Sequence, residues 1–437
     1  MEICRRLDGI ALAIELAAAR VPMLAVAEIA GRLDDRFRLL TGGSRGLPRH
    51  QTLHAAMLWS YEQLTPAEQR TMRQMSVFAG GWTLQAAADV AQCADEYEAL
   101  AHLSALHDKS LLVVEREDAG GRPRYRMLET VRQFALDRLN QCGGGEATRG
   151  RHAAHVIAMA EEAERHVRGP EQDIWMGRFK QEHENLVVAL TWCCEDAVDP
   201  QLGLRLAAAT RYYWGWNSVE SGYRLSRAAL DHDHAAADTP AREGALRVMA
   251  RLCVFRGRYG ESLSFAQQAL AAARCLGSSR ALALAQDALG MALEALGRLE
   301  EGLQAHQEGL ELARRLGDGV LLFQLLNNLA SARHHAGELD AAERCYREAL
   351  EWARRHAGRV GIVIVLNNLI RVLVALGEAE QARHFAIECL PLARHEKVGV
   401  DLLDATIGLA SLLGEHAVAA RFWGASDQQL LALGLPA

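Results

Sequence analysis

Two short histidine-containing stretches hold the densest groups of side chains that can bind metal ions. One is Asp231–His234, with the sequence DHDH, and the other holds His152 and His155 in the stretch HAAH. A zinc site needs three or four ligands, and neither stretch is accompanied by an ordered third and fourth ligand. We therefore expect no metal site. The first stretch is predicted to be a polar loop and the second a solvated helix face.

Phosphate chemistry would need a different set of residues. A phosphate-binding loop combines glycine-rich backbone with a Lys that reaches the β- and γ-phosphates and a Ser or Thr that binds magnesium. Lys109 is the only Lys followed by Ser or Thr, and no Gly stands just before it in SALHDKSLL. The stretch TGGSRGLP, residues 41–48, has glycines but no Lys and is predicted to be a linker. We expect a protein that is not an enzyme and holds no cofactor.

Composition favours a soluble protein of several domains. The 437 residues are 50% hydrophobic and 24% charged, and the net charge of −7 does not call for a nucleic acid or an anionic membrane as partner. Nine Cys without ligand-like spacing indicate a reducing, cytoplasmic environment. The most apolar stretch, residues 360–376, is interrupted by two Asn and one Arg, so a membrane span is not expected.

Periodicity in the second half predicts a repeat array. Four glycines stand 40 residues apart, and a column of leucines has the same spacing. These positions are Gly257, Gly297, Gly337 and Gly377, and Leu230, Leu270, Leu310, Leu350 and Leu390. Around each glycine an apolar helix, a turn and a second amphipathic helix are predicted. Glycine suits a residue that closes the first helix in the left-handed region.

This pattern resembles the tetratricopeptide repeat. The third unit matches best, with Gly337 at the turn and Ala342, Tyr346 and Ala349 in the second helix. Stacked helical hairpins expose a concave groove that can hold a peptide, a protein or a small effector. If the resemblance holds, first-helix residues that face this groove are Arg247, Arg251, Asp287, Glu294, Asn327, Ser331, His334, Asn367 and Arg371. A helical scaffold without a ligand is the alternative.

The segment before the repeats has the pattern of a winged helix. Several predicted helices between residues 48 and 110 are followed by the strand pair LLVVERE and RYRML, which flank the turn sequence DAGGRP. DNA reading by this module is not expected, because residues 95–110 carry four acids against the single Lys109. Four arginines on the hairpin could still touch a DNA backbone, namely Arg116, Arg122, Arg124 and Arg126.

Taken in order, several motifs resemble the STAND (NB-ARC/AAA-like) signal-transduction NTPases, and among them the LuxR-like and SARP-like bacterial transcriptional regulators. The motifs are CRRLDGIALAIELAAARV, RFRLLTGG, PRHQTLHAAMLWSYEQLTPAEQ, MSVFAGGWTLQAA, DKSLL and YRMLETVRQFALDRL. The resemblance implies a regulatory switch in which a winged helix and tetratricopeptide repeats follow an NTPase core that binds ATP or ADP. A DNA-binding domain lies at one end of such proteins.

Three positions match nucleotide contacts of that family, and two of them differ from its pattern. Gly9 matches the glycine of the Gly-x-Pro motif, but Ala11 replaces the proline that contacts the base. Leu128 stands where many relatives have the histidine that approaches the ADP phosphates, and a leucine cannot donate that hydrogen bond. We expect these positions to be vestigial.

The sequence therefore predicts a mainly α protein with four parts. Residues 1–45 are the remnant of the helical lid of an NTPase module, and residues 46–142 form a winged-helix domain with a hairpin at about 111–129. Residues 143–200 are a helical linker. Residues 201–437 form a tetratricopeptide-like α-solenoid of about 40-residue repeats that ends in a degenerate cap.

The predicted function is that of a non-catalytic sensor or scaffold portion of a STAND-type regulator, which binds a protein, a peptide or a small effector in the repeat groove. Direct DNA binding is not expected, and the chain alone is predicted to be a monomer. Two alternatives stay open. One is a DNA-binding transcriptional regulator that acts through its winged helix, and the other is a truncated remnant without an independent function.

Overall fold

The computed structural model describes residues 57–115, 123–235, 237–393, 408–410 and 412–415, together with Val21, Val26 and Glu28. Several predictions fall outside these residues. They are the nucleotide-contact positions Gly9 and Ala11, the lid helix of residues 1–45 except for three positions, the hairpin arginines Arg116 and Arg122, and most of the C-terminal cap. The described residues are mainly helical, in agreement with the predicted fold class.

The described chain divides into two compact units. The first comprises residues up to 156 and the short stretch 181–192, and the second comprises residues 157–180 and those from 193 onward. The predicted boundaries at residues 45, 142 and 200 stay predictions.

The first unit has a winged-helix arrangement of elements. After helical residues 57–62 come α1 (Pro66–Met75), α2 (Leu84–Ala91) and α3 (Glu96–Asp108), then strands β1 (Val113–Glu115) and β2 (Arg124–Arg126), and helix α4 (Glu129–Gln141). The start of α1 is fixed by a capping box. The hydroxyl of Thr65 accepts a hydrogen bond from the backbone N of Glu68 (3.3 Å), and the Glu68 carboxylate accepts one from the backbone N of Thr65 (2.9 Å).

The two strands pair antiparallel, which confirms the predicted hairpin. Val113 lies opposite Arg126, and Glu115 lies opposite Arg124. Trp82 extends the pairing through two backbone hydrogen bonds with Tyr125, each of 2.9 Å. The core beneath the strands is built from large side chains that are almost completely buried, namely Met72, Met75, Phe78, Trp82, Leu103 and Phe134.

Three helices occupy most of the predicted linker. They are α5 (Gly145–His166), α6 (Gln172–Gln181) and α7 (His183–Trp192). The chain leaves the first unit within α5, contributes residues 157–180 to the second unit, and returns to the first at the end of α6. We call residues 157–180 the excursion.

The second unit continues with α8 (Pro200–Ala209), α9 (Arg211–Asn217) and α10 (Val219–His232), followed by four pairs of helices. The pairs are α11 (Pro240–Phe255) with α12 (Tyr259–Leu276), α13 (Ser279–Ala295) with α14 (Leu299–Leu316), α15 (Gly319–His335) with α16 (Leu339–His356), and α17 (Arg359–Leu376) with α18 (Ala379–Ala393). The second helices of the pairs begin at 259, 299, 339 and 379, so the predicted 40-residue period is confirmed.

The turn within each pair is set by glycine. Gly297 has φ +77°, and its N–H bonds the carbonyl of Glu294 (2.9 Å) while the next N–H, of Arg298, bonds the carbonyl of Leu293 (2.9 Å). These two bonds close the helix end in a Schellman-type cap, which needs a residue with positive φ. The other three turn glycines also have positive φ, as predicted from their spacing.

The apolar stretch 360–376 is the interior of α17. This helix is long and apolar enough to cross a membrane by length and composition, yet 56% of its residues are buried inside the protein. Val363, Leu366, Leu369 and Leu373 are completely buried, and they belong to one core with side chains of α15, α16 and α18. Packing of the repeats therefore accounts for its hydrophobicity.

Candidate ligand site on the inner helices of the repeats

Two cavities open on the first helices of successive repeats. The larger, of about 100 Å³, is lined by Arg168, Gln172, Met176, Tyr212, Trp216, Arg251, Phe323, Gln324, Asn327, Asn328, Gly361, Ile364 and Val365. The smaller, of about 30 Å³, is lined by Arg211, Arg247, Val248, Ala250, Arg251, Val254, Leu284, Asp287, Ala288, Met291 and Gln324. Arg251 and Gln324 line both, so the cavities are neighbours.

A pair of guanidinium groups holds the hydroxyl of Tyr212. Arg168 Nη1 donates to Tyr212 Oη at 2.6 Å, and Arg211 Nη2 donates to the same oxygen. Both guanidiniums also lie over the ring, at 4.8 Å and 4.2 Å from its centroid. Burial raises the pKa of Tyr212, but the positive charges of Arg168 and Arg211 outweigh burial and lower it below its usual value.

Two further arginines from α11 complete a cluster of four. Arg247 Nε donates to Glu243 Oε1 at 2.5 Å, and Arg251 lies 5.3 Å from the ring centroid of Phe255. Burial lowers the pKa of Arg251, and burial together with the charges of Arg247 and Arg168 lowers the pKa of Arg211 to about 10. Burial also disfavours the charged form of Arg247, but Glu243 outweighs burial and raises the pKa of that side chain. We call Arg168, Arg211, Arg247 and Arg251 the guanidinium cluster.

Amide side chains of α15 face the same space. Gln324 Oε1 accepts from Tyr212 Oη at 3.4 Å, and Asn328 Nδ2 donates to both carboxylate oxygens of Asp287 at 3.0 Å. Asn327 Nδ2 donates to Asn328 Oδ1 at 3.3 Å, and its own oxygen accepts from Asn368 Nδ2 at 3.1 Å. The larger cavity therefore offers charged donors at one side and amide groups at another.

A buried acid–base network lies beside the smaller cavity. His306 is completely buried, with Nδ1 3.1 Å from Asp287 Oδ1 and Nε2 3.8 Å from Glu294 Oε2. Burial favours neutral His306, but hydrogen bonding to Asp287 and the nearby Glu294 outweighs burial and raises its pKa to about 9. Burial also disfavours the Glu294 anion, yet His306 and His335 lower its pKa to about 2. We call Asp287, Glu294, His306 and His335 the acid–base network.

The structure brings four of the predicted groove residues together. Arg247, Arg251, Asp287 and Asn327 line the two cavities. Asp287 is buried rather than open to solvent, because its carboxylate is held by His306 and Asn328.

The other predicted groove residues do not line the two cavities. Glu294 belongs to the acid–base network, and Ser331 is half-buried beside Tyr346. His334 is half-buried with its ring stacked on His335, and burial together with Arg371 lowers its pKa. Arg371 is exposed. Asn367 is buried, and its Oδ1 has no hydrogen-bond partner among the residues that the structure describes.

Residues outside the repeat register complete the site and were not predicted. Arg168 lies in the excursion, and Tyr212 and Trp216 lie on α9 in the sequence RYYWGWN. The density of aromatic residues there is a signal of packing, but it does not indicate a ligand. Gln324 lies three residues before Asn327, on the same face of α15 as the predicted positions, and Asn328 directly follows Asn327.

The histidine-rich stretches make ordinary contacts. His232 Nε2 lies 3.2 Å from the carbonyl of Val198, and Asp233 pairs with Arg242 at 2.8 Å. His155 pairs with Asp89. His152 is buried against Phe78, and burial lowers its pKa to about 4, so the prediction of a solvated helix face is wrong at this position. Among the residues described, no group of three or more His, Cys, Asp or Glu side chains could hold a metal ion.

Leu128 and the described hairpin arginines have structural surroundings. Leu128 precedes α4 as a partly buried residue, and its side chain makes no capping hydrogen bond. Arg124 is bonded to the Glu182 carboxylate and to the carbonyl of Gly81, and Arg126 pairs with Glu115 at 2.8 Å.

Comparison with known proteins identifies both the winged helix and the helical repeats. A family model described as a winged helix-turn-helix domain matches residues 64–140. A family model described as a tetratricopeptide repeat matches residues 281–355 and residues 321–395. The chain therefore contains a winged helix-turn-helix domain and tetratricopeptide repeats.

The chain is similar to mycobacterial proteins. A protein of Mycobacterium tuberculosis named as an HTH-type transcriptional regulator is 38% identical over 300 residues, which are 66% of this chain and 33% of that protein. A Mycobacterium bovis protein of the same kind matches equally. An uncharacterized Mycobacterium tuberculosis protein is 42% identical over 159 residues, 36% of this chain and 40% of its own length. The chain thus spans about a third of the length of the first relatives.

Solved structures also match. A STAND protein with a tetratricopeptide repeat sensor from Pyrococcus horikoshii has a TM-score of 0.45 and 15% identity, over 96% of this chain and 73% of that chain. A Rap protein complexed with competence and sporulation factor has a TM-score of 0.44 and 14% identity, over 69% of this chain and 90% of that chain.

Proposed function

We propose that this chain is the non-catalytic sensor portion of a STAND-type transcriptional regulator, and that it binds an effector in the larger cavity of its repeats. The observation that carries the proposal is the cavity itself, of about 100 Å³, with arginine, amide and aromatic side chains converging on it. A few polar groups in an otherwise apolar concave site are typical of ligand pockets. The naming of its relatives as transcriptional regulators supports the regulatory context.

We propose that the polypeptide itself carries the signal from the cavity. Arg168, Gln172 and Met176 line the cavity and belong to the excursion, whose two ends continue into residues of the first unit. An effector that contacts these side chains biases the position of the excursion. The polypeptide carries that bias toward the winged helix, which in STAND proteins is expected to act on the nucleotide module.

Effector binding can be tested with a defined panel. The full chain is dialysed against a mixture of organic acids, sugars, sugar phosphates, amino acids and short peptides, and the retained compounds are identified by mass spectrometry. Replacement of Ile364 by Trp fills the larger cavity, whereas Ile387→Trp adds the same bulk to a side chain on α18 that is 63% exposed. We expect a compound retained by the wild type and by Ile387→Trp but not by Ile364→Trp. Retention by all three proteins, or by none, contradicts the proposal.

DNA reading by the winged helix is the second candidate, because the relatives are named as HTH-type regulators. Helix α3 would face the DNA, yet it contains Glu96, Glu98 and Asp108 and neither Lys nor Arg. The two described hairpin arginines are already paired with Glu182 and Glu115. We propose that this surface does not bind DNA. A mobility shift with duplex DNA at low salt checks this, and a retarded complex that weakens steeply with salt would favour the second candidate.

A further inference from the structure

The guanidinium cluster carries more positive charge than its surroundings neutralise. Glu243 pairs with Arg247, whereas Glu164 reaches Arg211 only at 3.9 Å. Among the residues that the structure describes, neither Arg168 nor Arg251 has an ion pair with a carboxylate. The negative charge of Asp287 also acts on Arg251, but His306 and Asn328 already bind the Asp287 carboxylate.

Donor groups in the cluster also lack acceptors. Arg211 Nε and Arg247 Nη1 are buried and have no hydrogen-bond partner in the described part of the protein. A buried guanidinium whose N–H groups are unsatisfied is costly, and arginines brought together repel each other. Folding alone gives no reason to gather four arginines around one tyrosine. Arg211 and Arg247 line the smaller cavity, whereas Arg168 and Arg251, which have no carboxylate partner among the described residues, line the larger one. An oxyanion in the larger cavity would supply the missing negative charge beside Arg168 and Arg251.

The rest of the larger cavity limits the size and character of the ligand. The cavity of about 100 Å³ is several times larger than the space of about 10–15 Å³ that a single buried water needs, so it has room for a small organic molecule. Phe323 and Trp216 offer apolar contact, and Asn327 and Asn328 offer amide donors and acceptors. This space suits a short carbon skeleton with polar substituents.

We propose that the larger cavity binds a small organic oxyanion, whose charged group is a carboxylate or a phosphate ester. The guanidinium groups of Arg168 and Arg251 hold that charged group through paired N–H···O bonds. The neutral part of the ligand lies against Phe323 and the amides of α15. This inference rests on the proposed effector site and specifies the chemical class of the effector.

Thermal unfolding and calorimetry of the full chain test the inference. Inorganic phosphate, succinate and uncharged succinamide are compared with chloride at one ionic strength. We expect phosphate or succinate to raise the melting temperature and succinamide to leave it unchanged, and the more effective anion identifies the charged group. The variants Arg251→Gln and Arg168→Gln are expected to weaken anion binding roughly 10–100-fold, as loss of a charge-assisted hydrogen bond does.

A matched control is available on the opposite helices of the repeats. Arg354 is exposed on α16 and pairs with Glu388 at 2.7 Å, so Arg354→Gln removes the same charge far from the cavity lining and should keep anion binding. In chloride alone, Arg251→Gln should be at least as stable as the wild type, because one repelling charge is removed. If Arg251→Gln fails to fold, Arg168→Gln, on the loop of the excursion, gives the same comparison.

Two results would overturn the inference. One is that neither anion stabilises the wild type beyond chloride, or that both stabilise Arg251→Gln and Arg354→Gln equally. The other is that the panel yields an uncharged effector that Ile364→Trp excludes and that Arg251→Gln still binds. The second result leaves the proposed function standing, whereas loss of cavity-dependent binding for every compound would remove both.

Discussion

At the residue scale, the acid–base network shows how a charge is kept inside the repeats. His306 is completely buried between Asp287 and Glu294, and its pKa is raised to about 9. Such a group stabilises the fold below its unfolded pKa of about 6.5, and that contribution disappears as pH rises through about 9. Glu294 has a pKa lowered to about 2, so its contribution is present above about 4.5 and disappears as pH falls through about 2. The network therefore stabilises the protein most between about pH 4.5 and 6.5.

Replacement of His306 by Gln tests this charge. The variant keeps a polar side chain but loses the cation, so Asp287 and Glu294 lose their buried counter-ion. We expect its free energy of unfolding to be roughly 2–3 kcal/mol below that of the wild type at pH 6, with a smaller difference at pH 10. Urea unfolding at the two pH values measures both. His384→Gln, at an exposed position of α18, is the control. A difference that does not change with pH would mean that His306 is uncharged.

At the element scale, close approach of helix backbones sets the geometry of a repeat. Gly309 of α14 packs against α13 so closely that a Cβ atom there would lie 2.9 Å from the carbonyl oxygen of Ala283 and 3.3 Å from Gln286 Cβ. Neither backbone can move without disturbing its own hydrogen bonds. Gly260, in the first turn of α12, has nothing within 4 Å of the same atom.

These two glycines should respond oppositely to the same change. Gly309→Ala is expected to lower the free energy of unfolding by roughly 1–3 kcal/mol, because overpacking exceeds the gain in helix propensity. Gly260→Ala should be neutral or stabilise by up to about 1 kcal/mol. Denaturant unfolding followed by circular dichroism compares them. If both variants gain stability, the helices of this pair are not as close as the structure shows.

The sequence predicts elements better than it predicts the site, for a physical reason. The repeat turns need glycine at fixed intervals, so spacing alone located Gly297 and its equivalents. Arg168 contacts Tyr212 and Phe323, which stand 44 and 155 positions later in the chain, and no local pattern encodes such contacts. Neighbouring positions on a helix point about 100° apart. An alignment that places Asn327 in the groove therefore does not show that Asn328 faces the same cavity.

At the scale of the whole molecule, the excursion is the part of the repeat unit that continues at both ends into the winged-helix unit. It is held on the repeats at the start of α17. The N–H of Gly358 donates to the carbonyl of Arg168 at 3.1 Å, and Arg359 pairs with Asp173 at 3.0 Å. Arg168 also lies over the ring of Phe323, 5.0 Å from its centroid. Under the proposed function, an effector acts by changing these contacts.

One added methyl group should weaken the contacts that hold the excursion at the start of α17. A Cβ atom on Gly358 would lie 2.4 Å from the carbonyl oxygen of Gly169 and 2.8 Å from Gln172 Cβ, so Gly358→Ala should displace this loop from α17. A Cβ atom on Gly177, on α6 of the same excursion, would have nothing within 4 Å, and Gly177→Ala is the matched control.

If the free energy that holds the excursion on α17 falls by about 1–2 kcal/mol, amide hydrogens of residues 167–180 should exchange about 5–30-fold faster. Hydrogen exchange read by mass spectrometry should show this change in Gly358→Ala but not in Gly177→Ala, with α13 and α14 unchanged in both. Unchanged exchange in residues 167–180 would show that these contacts do not hold the excursion. Faster exchange throughout the repeats would show that the excursion does not open separately from the other repeat helices.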